Sequence, residues 1–426
     1  MSSLADHFAG MLKDASFSRN TLDFNIRRDL FTLIHAVASD PVAKRVDILA
    51  TDSASDISAK LKALRDSGSD LRTLDQLAQA LGVSEMPGFG QYEEGDPRWI
   101  ECLINYYKYR NRRAPFPEPF APYLGISELI AQPQIKIGIV GDWGTGATIA
   151  QNVIQAMASH APDYTIHLGD VYYSGADDEE LDKFLPNWPF NNGRSYALNS
   201  NHEMYSGGNG YFGKLLADPK FAAQHNLGYF ALTNDQWLII GLDSAYFTHS
   251  FLYQQGAIAE ADFSNPEASG MVQINWLKQL LQDHKGKRII LMTHHDGFSV
   301  DPAHGNVTIS PLYTQITSLM QDVRDWWWYW GHVHTVTAYL SVHFGSISTM
   351  TPRCVGHGAI PYMPFPPNYG RLGSGDVKID WTETDLARDP QIPLRAPNGF
   401  LLLTLTGADL REEFYDERNH QRWSNY

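Results

Sequence analysis

Two histidines separated by one residue, His332 and His334, are candidate metal ligands in this chain of 426 residues. They follow the aromatic run at residues 326–330 and Gly331, a pattern that predicts a buried strand ending where the histidines begin. Alternate residues of an extended chain point the same way, so both imidazoles can enter one cleft. Imidazole is the commonest side-chain metal ligand, although an isolated pair of this kind can equally lie on a surface loop.

Metal-binding side chains also follow four other apolar runs of the chain. They are Asp142 after residues 135–140, Asp170 after residues 164–168, Asn201 after residues 196–198, and His294 after residues 288–293. Ligands of α/β sheets bind at the carboxyl ends of the strands, so we expect one shared cleft rather than a local chelating loop. Any one of these residues alone is more simply a turn-former or a hydrogen-bonded core residue. Their recurrence at five successive strand ends favours a metal site.

The mixture of carboxylate, amide and imidazole groups predicts a pair of first-row transition metals. Six ligands exceed what one open catalytic ion needs, so a carboxylate shared between two ions is the favoured arrangement, with Asp170 as the bridge. The chain has two cysteines, Cys102 and Cys354, which excludes a cysteine-rich zinc site and a disulfide framework. A single disulfide bridge between these two cysteines stays an alternative at this point.

The elements that would position these residues lie in the second part of the chain. From residue 135 to 426, apolar strands alternate with helical segments, which is typical of an α/β domain. Residues 112–134 are rich in proline and are predicted to form a linker. Residues 1–111 are predicted to form a helical domain, because apolar residues fall at helical spacing between residues 56 and 81. The sequence does not identify the role of this domain, and docking of a protein partner or self-association are the candidates.

The composition indicates which classes of partner and which cellular compartment to expect. The net charge of −15 argues against a nucleic-acid or anionic-membrane surface, because both require an excess of lysine and arginine. A small anionic substrate held by metal ions is compatible with this charge. The first 20 residues lack the apolar core of a signal peptide, and no later run is long enough to span a bilayer. We therefore expect a soluble, cytoplasmic protein.

Taken in order, the motifs resemble those of the calcineurin-like metallophosphoesterases, and the first two resemble those of purple acid phosphatases. They are Gly141-Asp142-Trp143-Gly144, Gly169-Asp170-Val171-Tyr172-Tyr173, Ser200-Asn201-His202-Glu203, Leu291-Met292-Thr293-His294 and Gly331-His332-Val333-His334. Gly144 stands where the ordinary family has a histidine, and Tyr173 stands where the purple enzymes have a tyrosine. Ser200 and Leu291 depart from the usual glycine and valine. The resemblance implies a four-layer α/β/β/α sandwich of two mixed sheets, here preceded by the helical N-terminal domain.

The same resemblance implies a ligand set and a reaction. Asp142, Asp170, Tyr173 and His334 would hold a first metal ion, expected to be Fe(III), and Asp170, Asn201, His294 and His332 would hold a second, expected to be Fe, Zn or Mn. The implied reaction is hydrolysis of a small phosphate monoester by hydroxide formed from metal-bound water, with the bridging Asp170 as a catalytic residue. A phosphodiesterase, including one acting on cyclic nucleotides, and a metal-bearing scaffold without turnover are the alternatives.

The sequence also suggests roles for three further histidines. His202 is expected to contact the substrate and protonate the leaving group, and its alternative role is a hydrogen bond to a metal ligand. His304, ten residues after His294, is expected to line the substrate pocket. His295 points away from His294 on an extended chain and is expected to be structural. Residues 355–367, rich in proline and glycine, are predicted to form a rim or lid over the cleft, or a plain surface excursion.

Overall fold

A computed structural model describes residue 102 and residues 105–106, 108–118, 124–301 and 304–425. The boundary between the two units of the chain falls between Asn111 and Arg112, and the architecture below is that of the second unit. The helical domain predicted for residues 1–111 lies almost entirely outside the described residues, and the domain bounds stay predictions. In the described part of the chain, no helix combines the length and the apolar character needed to cross a membrane.

The second unit contains strands, α-helices and short helical turns. The strands are β1 (Ile126–Glu128), β2 (Gln134–Val140), β3 (Tyr164–His167), β4 (Ser195–Ala197), β5 (Phe230–Thr233), β6 (Trp237–Gly241), β7 (Arg288–Thr293), β8 (Phe298–Val300), β9 (Val307–Ile309), β10 (Asp325–Trp330), β11 (Val336–Tyr339), β12 (Val342–Phe344), β13 (Ser348–Val355), β14 (Gly373–Ser374), β15 (Val377–Thr382), β16 (Gly399–Thr406), β17 (Asp409–Asp416) and β18 (Gln421–Ser424). The α-helices are α1 (Thr148–Ser159), α2 (Asp177–Glu179), α3 (Asn201–Tyr205), α4 (Met271–Asp283) and α5 (Pro311–Leu319). Shorter π and 3₁₀ turns lie at Glu180–Phe184, Leu185–Asn187, Tyr211–Leu215, Pro219–Gln224, Phe251–Tyr253 and Tyr369–Arg371.

Two mixed sheets and a small hairpin organise these strands. The larger sheet runs β1-β5-β6-β7-β10-β13-β11-β15-β14, with β12 beside β13, and the smaller sheet runs β18-β17-β16-β2-β3-β4. Each sheet contains parallel and antiparallel pairs, as the family resemblance implies. Strand β1 lies in the stretch predicted as a linker and pairs in parallel with β5. The sequence pattern did not predict that pairing, because three residues are too short for a periodic signal.

The core is divided between three apolar layers. Side chains of both sheets, such as Ile139 and Tyr329, meet in the layer between them. Helix α1 covers the outer face of the smaller sheet, and helices α4 and α5 cover the outer face of the larger sheet. This is the predicted α/β/β/α arrangement, and it follows from strands that are apolar on both faces and therefore need a cover on each side.

The aromatic strand β10 shows how the pattern of side chains selects these layers. Trp326, Trp328 and Trp330 point to the helix-covered face, whereas Tyr329 points to the layer between the sheets. Parallel neighbours β7 and β13 pair with β10 on its two sides. Because parallel strands end at the same edge of a sheet, the residues that follow β7 and β10 are brought together.

Residues 355–362 are buried, so this part of the predicted rim or surface excursion is not a surface excursion; Gly356 borders the cleft, because a Cβ atom there would lie 3.1 Å from Asp142 Oδ2. Val355 and Tyr362 lie in the layer between the sheets, Ala359 packs under helix α1, and Phe365 lies on the outer face of the larger sheet. The proline and glycine content correctly excludes regular structure for most of the segment. It does not report burial, which depends on the apolar residues between the prolines and on what they meet in the fold.

Candidate functional site

The parallel strands of both sheets end at one cleft. Strands β2, β3 and β4 lead to Asp142, Asp170 and Asn201, and strands β7 and β10 lead to His294 and the pair His332 and His334. The structure brings all six predicted ligand side chains of types Asp, Asn and His to this edge. Asp142, Asp170 and His332 have positive φ angles of 57°, 81° and 63°. These left-handed turns are rare for residues with a side chain and point each group back into the cleft.

One group of donor atoms lies around Asp142 and His334. His334 Nε2 lies 3.5 Å from Asp142 Oδ1 and 3.0 Å from the hydroxyl oxygen of Tyr172. The Tyr172 hydroxyl donates to Asp170 Oδ2 across 2.8 Å. The backbone N–H of His332 donates to both carboxylate oxygens of Asp142, at 3.1 and 3.0 Å, which fixes the orientation of that carboxylate.

A second group lies around His294. Its Nδ1 donates to the carbonyl oxygen of Leu168 across 2.9 Å, so the neutral ring presents Nε2 as an acceptor. That Nε2 lies 2.8 Å from Asn201 Oδ1 and 3.3 Å from Asp170 Oδ1. Burial lowers the pKa of His294 to about 3, which keeps the ring neutral near pH 7. Three acceptor atoms thus lie close together. A cation can bind all three at once, whereas a single hydrogen-bond donor cannot.

Electrostatics within the cleft also favour a cation. Burial and the adjacent charge of Asp170 raise the pKa of Asp142 well above its usual value. Burial alone would raise the pKa of Asp170, but His202, His294 and the Ser200 hydroxyl hold it well below its usual value. Of these two buried carboxyls, one is therefore driven to keep a proton when no cation compensates the pair. The donor set of carboxylate, amide, imidazole and phenol groups fits transition-metal ions.

Metal-ligating atoms are close enough for one ion in two overlapping triplets of the described residues. Atoms of Asp142, Asp170 and His294 lie within 4.8 Å of one another, as do ring nitrogens of His294, His295 and His332. His295 is nevertheless engaged on both sides, with Nδ1 3.0 Å from Ser244 Oγ and Nε2 2.7 Å from the carbonyl oxygen of Tyr253. These contacts agree with the structural role expected for His295.

His202 lies beside the carboxylate of Asp170. Its Nδ1 donates to the carbonyl oxygen of Tyr173 across 2.7 Å, and its Nε2 lies 3.6 Å from Asp170 Oδ2. The ring packs against Tyr172 and Tyr205, with centroid separations of 4.4 and 4.9 Å. Burial lowers the pKa of His202 below its usual value. The backbone contact fixes the tautomer and leaves Nε2 directed at the cleft.

The tyrosine of the second motif is not placed as the resemblance implies. Tyr172, rather than Tyr173, has its hydroxyl against Asp170 and His334. Tyr173 is turned so that its ring lies 5.2 Å from the ammonium group of Lys183 and its carbonyl oxygen accepts from His202. The turn that follows β3 directs the Tyr172 hydroxyl back to Asp170, while Val171 between them is buried in the apolar core. The spacing of the motif, which points to Tyr173, does not report the geometry of this turn.

The structure does not place His304 with the other predicted site residues. Its side chain is 74% exposed, and its Nδ1 lies 2.7 Å from Asp301 Oδ2. A role in substrate binding stays a prediction. Asp301 is three residues from His304, so this contact is local and does not bring the imidazole to the cleft.

Sequence reasoning missed a buried carboxyl group below the cleft. Glu203 Oε1 accepts a hydrogen bond from the backbone N–H of Asp170 across 3.1 Å, and its other oxygen accepts from the Ser200 hydroxyl. The same hydroxyl lies 2.5 Å from Asp170 Oδ1. Burial and the charge of Asp170 raise the pKa of Glu203 to about 8. Ser200, noted as a departure from glycine, thus links Glu203 to Asp170.

A second missed feature is the backbone that supports Asp142. Gly141 N–H donates to the carbonyl oxygen of Val355 across 3.2 Å, and Gly358 N–H donates to the carbonyl oxygen of Gly141 across 3.0 Å. A Cβ atom on Gly358 would lie 2.3 Å from that oxygen, and a Cβ atom on Gly356 would lie 2.1 Å from the carbonyl oxygen of Val333. The glycines therefore allow a close approach that larger residues would block.

Comparison with known proteins identifies the family. The model of the calcineurin-like phosphoesterase family matches residues 135–336, which confirms the family predicted from the motifs. No curated protein matches the chain. Among solved structures, the chain is similar to GAP50, the anchor in the inner membrane complex of Plasmodium, at 13% identity and a TM-score of 0.45 over 68% of this chain and 88% of that one.

Two further structures have the same kind of similarity. Purple acid phosphatase PPD1 from yellow lupin (Lupinus luteus) seeds is 15% identical with a TM-score of 0.47, over 68% of this chain and 53% of that one. A putative 5'-nucleotidase from Staphylococcus aureus is 13% identical with a TM-score of 0.28, over 61% of this chain and 56% of that one.

Proposed function

We propose that the calcineurin-like phosphoesterase domain of this chain holds two metal ions and hydrolyses phosphate monoesters. The observation that carries the proposal is the position of Asp170 between two sets of donor atoms. Its Oδ2 faces the Tyr172 hydroxyl at 2.8 Å, and its Oδ1 faces His294 Nε2 at 3.3 Å. A carboxylate with a separate ligand set on each oxygen is suited to bridge two ions.

The contacts of Asp170 divide the candidate ligands into two sets, and His332 joins the second because its ring lies against that of His294. Asp142, Asp170, Tyr172 and His334 are assigned to one ion, and Asp170, Asn201, His294 and His332 to the other. Tyr172 takes the place that the family resemblance gave to Tyr173. We assign Fe(III) to the ion beside the phenol, and Fe, Zn or Mn to the second ion. When bound, such a pair would neutralise negative charge on the phosphate oxygens and would lower the pKa of water, so that hydroxide is available as the nucleophile near neutral pH.

His202 supplies the proton of this reaction. Its Nδ1 is held by the carbonyl oxygen of Tyr173, so Nε2 is the atom that can give a proton to the leaving oxygen. The rings of Tyr172 and Tyr205 hold the imidazole from two sides, which limits it to one orientation in the cleft. A phosphate dianion near Nε2 favours the protonated ring and so opposes the effect of burial on the pKa.

The test of this function compares Asp170→Ala with Asp283→Ala in the full chain. Asp283 is an exposed carboxylate at the end of helix α4, away from the strand ends that carry the ligands. We expect two metal ions per wild-type chain, loss of both ions and of turnover in Asp170→Ala, and no change in Asp283→Ala. Metal content by elemental analysis and turnover of 4-nitrophenyl phosphate provide the readout. Wild-type protein with fewer than two ions, or an Asp170→Ala variant that retains two, would contradict the proposal.

Substrate class is tested separately. We expect turnover of 4-nitrophenyl phosphate and much slower turnover of bis(4-nitrophenyl) phosphate and of cyclic nucleotides. The opposite order would assign the same site to a phosphodiesterase. Neither substrate being hydrolysed by protein with both ions bound would indicate a metal-bearing scaffold.

A further inference from the structure

We infer that Tyr205 is a positioning residue that holds the Asn201 amide with its oxygen towards the metal site. The inference rests on the proposed function, since it concerns a ligand of the second ion. An asparagine side chain has an oxygen and an NH2 group at nearly equivalent positions, and only the oxygen is a metal ligand. A flip of the amide would replace the ligand with two N–H donors.

The partners of the Asn201 amide distinguish its two ends. Its Oδ1 lies 2.8 Å from His294 Nε2, inside the cleft, and its Nδ2 donates to the Tyr205 hydroxyl oxygen across 3.0 Å. Asn201 and Tyr205 are four residues apart on helix α3, so their side chains lie one above the other on one face. The short helix thus carries both the ligand and the group that orients it.

The Tyr205 hydroxyl is itself held from outside the helix. Gln254 Nε2 donates to the same oxygen across 3.0 Å, so the hydroxyl oxygen accepts from two amide groups. Tyr205 is buried, whereas Gln254 is exposed, and the ring of Tyr205 packs against His202. An oxygen that accepts from two donors favours the NH2 end of Asn201 over its carbonyl end.

The residue before Gln254 is tied to the second ligand-bearing turn. The carbonyl oxygen of Tyr253 accepts from His295 Nε2 across 2.7 Å, and His295 is adjacent to His294. Gln254 therefore contacts the hydrogen-bond partner of Asn201, and Tyr253 contacts the residue next to His294. Asn201 and His294 are assigned to the same ion. Hydrogen-bond partners of metal ligands commonly change metal affinity by about 10- to 100-fold when they are removed.

The experiment compares Tyr205→Phe with a matched control, Tyr164→Phe. The Tyr164 hydroxyl is also buried in the protein and accepts one hydrogen bond, from Ile130 N–H at 2.9 Å, but Tyr164 lies at the start of β3, the end away from the cleft. Both variants of the full chain are stripped of metal and titrated with Zn²⁺ by calorimetry and with Co²⁺ by visible absorption. The Co²⁺ absorption reports the ligand geometry, which a general loss of stability does not change.

We expect Tyr205→Phe to bind one of the two ions about 10-fold or more weakly and to shift the Co²⁺ absorption of that ion. Gln254→Ala is expected to show a smaller effect in the same direction, and Tyr164→Phe is expected to match the wild type. Wild-type affinities and absorption in Tyr205→Phe would overturn the inference and leave the proposed function intact. Equal losses in Tyr205→Phe and Tyr164→Phe would also overturn it. A wild-type chain that binds neither metal would overturn both.

Discussion

The hydroxyl group of Tyr172 donates a hydrogen bond to Asp170 Oδ2 across 2.8 Å. Tyr172 is therefore the phenol that the fold brings to the proposed bridging carboxylate, although Tyr173 has the spacing of the purple acid phosphatase motif. The ring also lies 4.4 Å from that of His202, which joins the proposed ligand to the proposed proton donor. A one-residue difference in position decides which tyrosine can give a metal-bound phenolate.

The two tyrosines provide the first prediction. In iron-loaded protein we expect a visible charge-transfer band that is lost in Tyr172→Phe and kept in Tyr173→Phe, because only the first variant removes the hydroxyl beside Asp170. Absorption spectra at equal iron content provide the measurement. A band lost in Tyr173→Phe alone would show that the family spacing, rather than the geometry described above, identifies the ligand.

The role of His202 leads to the second prediction. His202→Ala should keep both metal ions and lower kcat for alkyl phosphates by about 10²- to 10⁴-fold, the usual contribution of a general acid. The loss should be smaller for 4-nitrophenyl phosphate, whose leaving group needs less protonation. The control is His343→Ala, which removes an exposed imidazole on β12. Equal losses for both substrates would contradict a role in protonation.

His167 allows a prediction on stability and pH. Its imidazole is fully buried among Trp143, Phe184 and Trp188, and neither ring nitrogen has a hydrogen-bond partner among the described residues. Burial lowers its pKa from 6.5 to about 3. The folded state then binds fewer protons than the unfolded state, so stability is complete above pH 6.5 and is lost as the pH falls towards 3.

We therefore expect His167→Phe to be more stable than the wild type at pH 7 by about 1 kcal/mol, because an unpaired buried polar group is removed. The difference should grow by up to about 2 kcal/mol at pH 5, at about 1.4 kcal/mol per pH unit. Urea unfolding at both pH values measures it. An unchanged difference between pH 7 and pH 5 would show that His167 is not the titrating group.

The close approach of Gly358 to Gly141 gives the fourth prediction. Gly358→Ala places a Cβ atom 2.3 Å from a backbone oxygen and should displace the turn that carries Asp142. We expect lower thermal stability and weaker metal binding. Gly370→Ala is the control, since a Cβ atom there meets nothing within 4 Å. Metal titration and thermal unfolding of both variants test the prediction, which fails if the two behave alike.

The sequence by itself determined the family resemblance, the order of the strands that carry the proposed ligands and the positions of the six Asp, Asn and His groups. Apolar runs that end in a polar residue are local signals, and the common edge of parallel strands turns such local signals into one site. The same local signals could not report that residues 355–362 are buried, because burial depends on what a segment meets in the fold.

Only the tertiary structure decided which tyrosine faces Asp170, how the Asn201 amide is oriented and that His304 is exposed. The first two depend on contacts between residues far apart in the chain, Tyr172 with His334 and Asn201 with His294. Side-chain direction at the end of a strand is set by the turn that follows and by the neighbours it meets. A motif gives the residue type and spacing, whereas packing fixes the direction in which the side chain points.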